Sequence, residues 1–322
     1  MKLKMTSDRR QMTRTGSRGP QRVACRVSRV AAAAFTLIEV MVVVVLLALI
    51  VLALMAVFNS TQAAFRAGVT QAGVLEDGRA VMDLMADDLR AMAPSDGVSN
   101  GVVGAANFFA AVTTYPSPPS PLLQPMVGGD AVRTNVLESI FILSRGNENG
   151  APRWYGVGYT VAPSAPSGSL YSLYRFYSKT NIQSNPVGLF NAFYAGISSG
   201  QWTNMSHLMD GVVALTVRPC NPGGYWMTNL YQIDGNQWVT NQNVWFFQPG
   251  WGEVGFEMFS NTLPASVQVE MGVLEDRALQ RAESLPDGAN SPQAKFLAGS
   301  ASQVHVFRQR VLVPNADPSA YP

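Results

Sequence analysis

The sequence predicts an α+β protein in which one long N-terminal helix, its first half membrane-spanning, packs on a head of antiparallel β-sheet. Three observations carry that expectation. Residues 35–58 form an apolar block of 24 residues whose sole formal charge is Glu39. The stretch after it stays free of proline until Pro94 and repeats apolar residues at helical spacing. Beyond that, β-branched and aromatic runs alternate with breaks rich in Gly, Pro and Asn.

As a helix, 24 residues extend about 36 Å at about 1.5 Å per residue, enough to cross a hydrocarbon core of about 30 Å. A secretory signal has a shorter apolar region of about 7–15 residues, with its small-residue cleavage site after it. Here the small residues, 31–34, come first, which predicts removal of the basic arm 1–34 with the apolar helix kept. Of the 23 Lys/Arg, nine fall in residues 1–34, against one of the 21 Asp/Glu. Residues 35–322 therefore hold 14 basic and 20 acidic residues, a net −6, although the whole chain is +2. Basic residues on one flank of an apolar span set orientation, with the arm cytoplasmic and the body outside. Because the arm abuts a membrane span, no nucleic-acid partner is expected. Arg9-Arg10 lies too far from the apolar run to form a twin-arginine signal.

Residues 59–93 read as an amphipathic continuation of the helix. Phe65 and Val69, and then Leu75, Met82, Met85, Leu89 and Met92, recur at spacings of three, four and seven, with charged residues between them. Gly68, Gly73 and Gly78 each weaken a helix by about 1 kcal/mol relative to Ala, so bends or frayed turns are expected there. Residues 94–322 form one elaborated head. Its first part, 94–131, is rich in Pro, Ser and Gly and reads as an irregular loop. Strands are expected near 136–143, 153–161, 170–177, 212–217, 254–259, 266–273 and 304–313. In two of them the apolar positions alternate: Val213, Leu215 and Val217 share one side, as do Val267, Val269, Met271 and Val273. Breaks fall at 146–150, 219–224, 234–236 and 286–292.

The hexapeptide Phe35-Thr36-Leu37-Ile38-Glu39-Val40 behind a basic leader resembles the start of type IV prepilins and pseudopilins. Three body segments are similar to minor pseudopilin J of type II secretion systems. They are the helix end Arg79-Ala80-Val81-Met82-Asp83-Leu84-Met85-Ala86-Asp87-Asp88-Leu89-Arg90, then Leu173-Tyr174-Arg175, then Leu208-Met209-Asp210-Gly211-Val212. Leu263-Pro264-Ala265-Ser266-Val267-Gln268-Val269 continues the same order. The ending Phe307-Arg308-Gln309-Arg310-Val311-Leu312-Val313-Pro314-Asn315-Ala316 resembles most the verrucomicrobial Verru_Chthon cassette protein C family. Together the matches span the N-terminal helix and several scattered strands, about half of the chain after residue 34.

The resemblance implies a pilin-like fold and a chain processed by prepilin peptidase between Ala34 and Phe35, with the new Phe35 amine methylated. Ala34 stands where that family usually has Gly. It further implies that Glu39 neutralises the Phe35 amine of a neighbouring subunit, replacing two costly charges in lipid by one pair. The alternative is a signal anchor with a stray acidic residue. Implied partners are other major and minor pseudopilins and an inner-membrane assembly platform. Implied placement is a single pass of the inner membrane, head periplasmic, with incorporation near a filament tip.

No enzyme is expected. His207 and His305 are the only histidines and Cys220 the one cysteine after the leader, which also holds Cys25. They do not supply a usual zinc set. Neither a Gly-x-Ser-x-Gly elbow nor a phosphate-binding Gly loop with Lys occurs. Asp210 before Gly211 reads as a turn residue. Asp234-Gly235-Asn236 reads as a hairpin turn, since it lacks the repeated Asp spacing and closing Glu of a calcium loop. No cofactor is indicated; calcium in the loops stays open. The segment 222–252 is rich in Trp and Asn and has no clear counterpart in compact pseudopilins. Its Trp226, Trp238, Trp245 and Trp251 read first as core fillers. The alternative is an exposed ligand platform, which would make the protein a filament-borne adhesin or carbohydrate-binding protein.

Overall fold

A computed structural model describes residues 36–95, 105–112, 122–125, 132–163, 170–201, 205–227, 231–232, 238–239, 243–247, 255–287 and 291–321. The expected leader and Phe35 lie outside them. The chain divides into two compact units, Met1–Ser60 and Thr61–Pro322.

In the first unit the described residues are helical from Leu37, the start of α1 (Leu37–Arg90). Its Val, Leu and Ile side chains up to Phe58 are exposed, and none of its most apolar 18-residue window is buried. α1 is long and apolar enough to cross a membrane, which explains how it leaves that surface open in an isolated chain.

The second unit is an antiparallel β head around the rest of α1. Seven strands form the larger sheet: β1 (Ala106–Val112), β4 (Glu138–Glu148), β5 (Ala151–Pro163), β6 (Tyr171–Asn181), β7 (Ser206–Asp210), β11 (Val244–Phe247) and β12 (Gly255–Phe259). They lie in the order β11-β12-β1-β4-β5-β6-β7. A smaller sheet has the order β14 (Val304–Leu312), β13 (Ser266–Leu274), β8 (Val212–Cys220). Two ribbons complete the described strands, β2 (Leu122–Pro125) with β3 (Val132–Asn135), and β9 (Tyr231–Gln232) with β10 (Trp238–Val239). Val74, Met82, Met85, Leu89 and Met92 of α1 share one core with inward residues of both sheets, among them Phe108, Ile142, Leu215, Val269 and Met271. The opposite face of the larger sheet is covered by α2 (Val187–Ser199), whose Phe190 and Phe193 pack on Phe141. Gly158 of β5 permits that approach, because a Cβ there would collide with the Phe193 ring. Beside the smaller sheet, α3 (Asp276–Glu283) and α4 (Pro292–Gly299) close a third cluster.

All seven expected strands are present, several longer than expected. The break at 146–150 shrinks to a two-residue hairpin, Asn149-Gly150, both at positive φ (51° and 81°), as a tight primed turn requires. Four expectations need correction. The irregular loop 94–131 contains β1, which is buried along its whole length and lies between β12 and β4 in the sheet. Its sequence, Ala-Asn-Phe-Phe-Ala-Ala-Val, carries apolar residues on both faces, with Asn107 its one polar side chain, and so lacks the alternation that marks half-buried strands. Val213 does not share a side with Leu215 and Val217: a register shift opposite Gly272 and Val273 sends it into the α3/α4 cluster. Phe65 and Val69 are exposed, so the buried stripe of α1 begins at Val74.

The fourth correction concerns the helix glycines, since α1 runs unbroken through Gly68, Gly73 and Gly78. Gly78 is a site of close approach, where a Cβ would collide with the Phe307 ring of β14. A Cβ at Gly68 or Gly73 meets nothing within 4 Å. Gly68→Ala or Gly73→Ala should therefore stabilise the protein by up to about 1 kcal/mol through helix propensity. At Gly78 the same gain competes with an overpacking cost of about 1–3 kcal/mol, so Gly78→Ala should lower the melting temperature. Thermal unfolding of the three variants in detergent checks the contrast, and equal shifts would refute the Phe307 contact.

Candidate functional site

Helix α1 begins with a reciprocal cap. The Thr36 N–H and hydroxyl each donate to Glu39 Oε2 at 2.9 Å, while the Glu39 N–H donates to Thr36 Oγ1 at 3.4 Å. This is the Thr-x-x-Glu box that satisfies orphan donors at a helix start. A carboxylate that is costly in lipid thus sits where unsatisfied N–H groups and the positive end of the helix dipole favour it. The spacing Thr36-x-x-Glu39 was visible in sequence, and the capping role was missed. Ala34 and Phe35, the expected processing residues, lie outside the described residues.

At its other end the helix is fastened to the head by a polar cluster. Arg175 of β6 holds Asp88 of α1 with three hydrogen bonds, Nε to Oδ2 at 3.1 Å and Nη2 to both carboxylate oxygens at 3.0 Å. The Tyr159 hydroxyl of β5 also donates to Asp88 Oδ2. Burial first, and the Asp88 charge second, push the Tyr159 hydroxyl well above its usual range, so it stays a donor. Asp88 and Arg175 lie in two segments singled out separately by resemblance, and the fold makes them partners. Farther along, Asn315 Nδ2 donates to the Met92 carbonyl at 2.7 Å, tying the C-terminal segment to the residues that follow the helix.

The tryptophans do not behave as one group. Trp226 is 53% exposed and its ring carries the Arg218 guanidinium 4.4 Å from the centroid. It bridges to Cys220 at the end of β8. Trp245 is 55% exposed on β11, the edge of the other sheet, and packs edge-on against Phe259 at 5.0 Å. The core-filling expectation fails for both, because an edge strand and a turn leave one side of each ring uncovered. Trp238 pairs its backbone with Gln232 in the β9–β10 ribbon. Trp251 lies outside the described residues, as does Asp234-Gly235-Asn236 between the two ribbon strands.

Asp210 ends β7, and Gly211 at φ 73° turns the chain into β8. Its Oδ1 accepts from Ser172 Oγ at 2.5 Å and lies 2.8 Å from His207 Nε2. Burial opposes its charge, but those hydrogen bonds prevail and hold the Asp210 carboxyl below its usual range. The carboxylate thus ties Ser172 of β6 to His207 of β7 across the sheet edge. Among the described residues no group of three or more His, Cys, Asp or Glu could hold a metal ion, and Cys220 is buried.

No protein-family model matches the chain, and neither a curated protein nor a solved structure matches it significantly. The described residues instead establish an architecture, a long N-terminal apolar helix followed by an antiparallel β-sheet domain, which is consistent with a pilin-like arrangement.

Proposed function

We propose that the protein is a minor pseudopilin-like structural subunit of a type II secretion or type IV pilus-like filament, cut before Phe35 by prepilin peptidase. The observation that carries this reading is the division of labour along α1. Its apolar first part leaves every large side chain uncovered, whereas Val74 to Met92 are locked into the head. Phe65 and Val69, beyond the length of a bilayer span, are uncovered as well. Such a helix suits lateral packing against the helices of other pseudopilins, first in the inner membrane and then in a filament near its tip. The head is placed in the periplasm and acts through contacts with neighbouring heads and the assembly platform, with no catalysis of its own. Similarity to pseudopilin J and to the verrucomicrobial cassette C proteins belongs to this proposal.

Glu39 has two roles to separate, capping its own helix and pairing with a neighbour's Phe35 amine. A capping box contributes about 1 kcal/mol, little against a helix of 54 residues. Glu39→Ala should therefore leave insertion intact and abolish co-purification with partner pilins encoded nearby. Thr36→Val breaks the cap, keeps the carboxylate and should assemble normally. Equal loss in both variants would reduce Glu39 to a cap, and normal assembly of Glu39→Ala would remove the pairing role. Mass spectrometry of the mature N-terminus tests the Ala34–Phe35 cut. The exposure of Trp226 and Trp245 favours a second reading, a filament-borne adhesin that stacks sugars on these rings. Quenching of their fluorescence by oligosaccharides would support it.

A further inference from the structure

One end of the seven-stranded sheet places a carboxylate among aromatic rings. Glu257 of β12 lies directly opposite Trp245 of β11 on one side and Phe109 of β1 on the other. Directly opposed residues of antiparallel strands project to the same face. Phe109 meets Phe190 and Tyr194 of α2 at 5.3 and 6.2 Å, so this is the face that carries α2. Tyr194 is 47% exposed, and with Trp245 it keeps the cluster open to solvent.

Glu257 is half-buried, and among the described residues neither a hydrogen-bond donor nor a cation accounts for its setting. Burial is the sole cause that pushes its carboxyl up to about 7. Every Lys and Arg after residue 34 is a described residue, so the loops outside the description contain none. α2 carries no charged side chain, and Tyr194 is its one titratable group. Trp245 and Phe109, the neighbours on the adjoining strands, do not titrate.

An unpaired, partly desolvated carboxylate is costly, and aromatic faces attract cations. The row Trp245–Glu257–Phe109 combines these two features and has no neutral polar side chain of the kind that reads sugar hydroxyls. We propose that this row is a binding site for an alkylammonium group, supplied by a small quaternary amine or by a lysine side chain of a partner. The exposed Trp245 ring covers the cation, the buried Phe109 ring floors the site and Glu257 supplies the counter-charge.

The test uses the full chain in non-ionic detergent with three probes: choline, its neutral isostere 3,3-dimethyl-1-butanol, and Nα-acetyl-lysine methylamide. Binding is read by calorimetry and tryptophan fluorescence. An ammonium probe should bind saturably at pH 8 and at least about tenfold more weakly at pH 5.5, where protonation removes the counter-charge. Glu257→Gln should abolish binding while keeping the circular dichroism spectrum. Tighter binding of choline points to a small quaternary amine, and tighter binding of the lysine derivative to a protein side chain. Equal binding of the neutral isostere, binding unchanged in Glu257→Gln, or no saturable binding of either ammonium probe overturns the proposal. The pH arm needs no variant, and none of these outcomes depends on filament assembly.

Discussion

Arg175→Met is expected to destabilise the head by about 3 kcal/mol, because it strands the Asp88 carboxylate in a site built for a bidentate guanidinium. Asp88 and Arg175 retain only 16% and 21% side-chain exposure, so water replaces little of the lost pairing. The Tyr159 hydroxyl alone would remain to solvate the charge. Removing the whole cluster should be far milder than removing one member. Asp88→Leu, Tyr159→Phe and Arg175→Met combined leave no orphan group and restore apolar contact between α1, β5 and β6. Such replacements are often neutral. Chemical denaturation of the wild type, the single variant and the triple variant checks the ordering. A loss below about 1 kcal/mol in Arg175→Met, or a triple variant no better than the single, would show that the cluster is solvated like an ordinary surface pair.

This cluster also shows what sequence could and could not convey. Asp88 and Arg175 lie 87 positions apart, and each sat in a segment that was legible by itself. Their pairing depends on which strand of the larger sheet runs under the helix, and no local pattern encodes that. The apolar block, the stripe from Met82 to Met92 and the alternating strands were legible because a single period dominates each of them. β1 was not, since burial on both faces erases the period. α2 was missed for a related reason: Val187–Ser199 is rich in Gly, Ala and Ser, and its buried stripe includes Phe190, Phe193 and Ile197, residue types that equally suit strands. Gly78 was read through propensity as a weak point of the helix. Its actual constraint, the Phe307 ring, comes from a strand more than 200 residues later. At the membrane end the converse holds, because Thr36 and Glu39 are local partners and their cap could have been read from spacing alone.

Glu257 makes the stability of the head fall as pH rises, opposite to the usual behaviour of a paired carboxylate. Its carboxyl titrates near 4.5 when unfolded and near 7 in the fold, so between those values the folded state binds the extra proton. The stabilisation is complete below about 4.5, declines as pH rises and is gone once pH exceeds the folded value of about 7. At about 1.4 kcal/mol per unit, discounted for the part of the side chain that reaches water, the swing amounts to about 1–2 kcal/mol. Gln at this position does not titrate. Glu257→Gln should thus melt alongside the wild type at pH 4 and about 2–6 °C above it at pH 8. Parallel melting of the two proteins from pH 4 to 8 would show that Glu257 is solvated in the fold. A position that costs stability at neutral pH is poorly explained by packing, and a bound ammonium would remove that cost by pairing with the charge. Choline added at pH 8 should accordingly raise the melting temperature of the wild type and leave that of Glu257→Gln where it was.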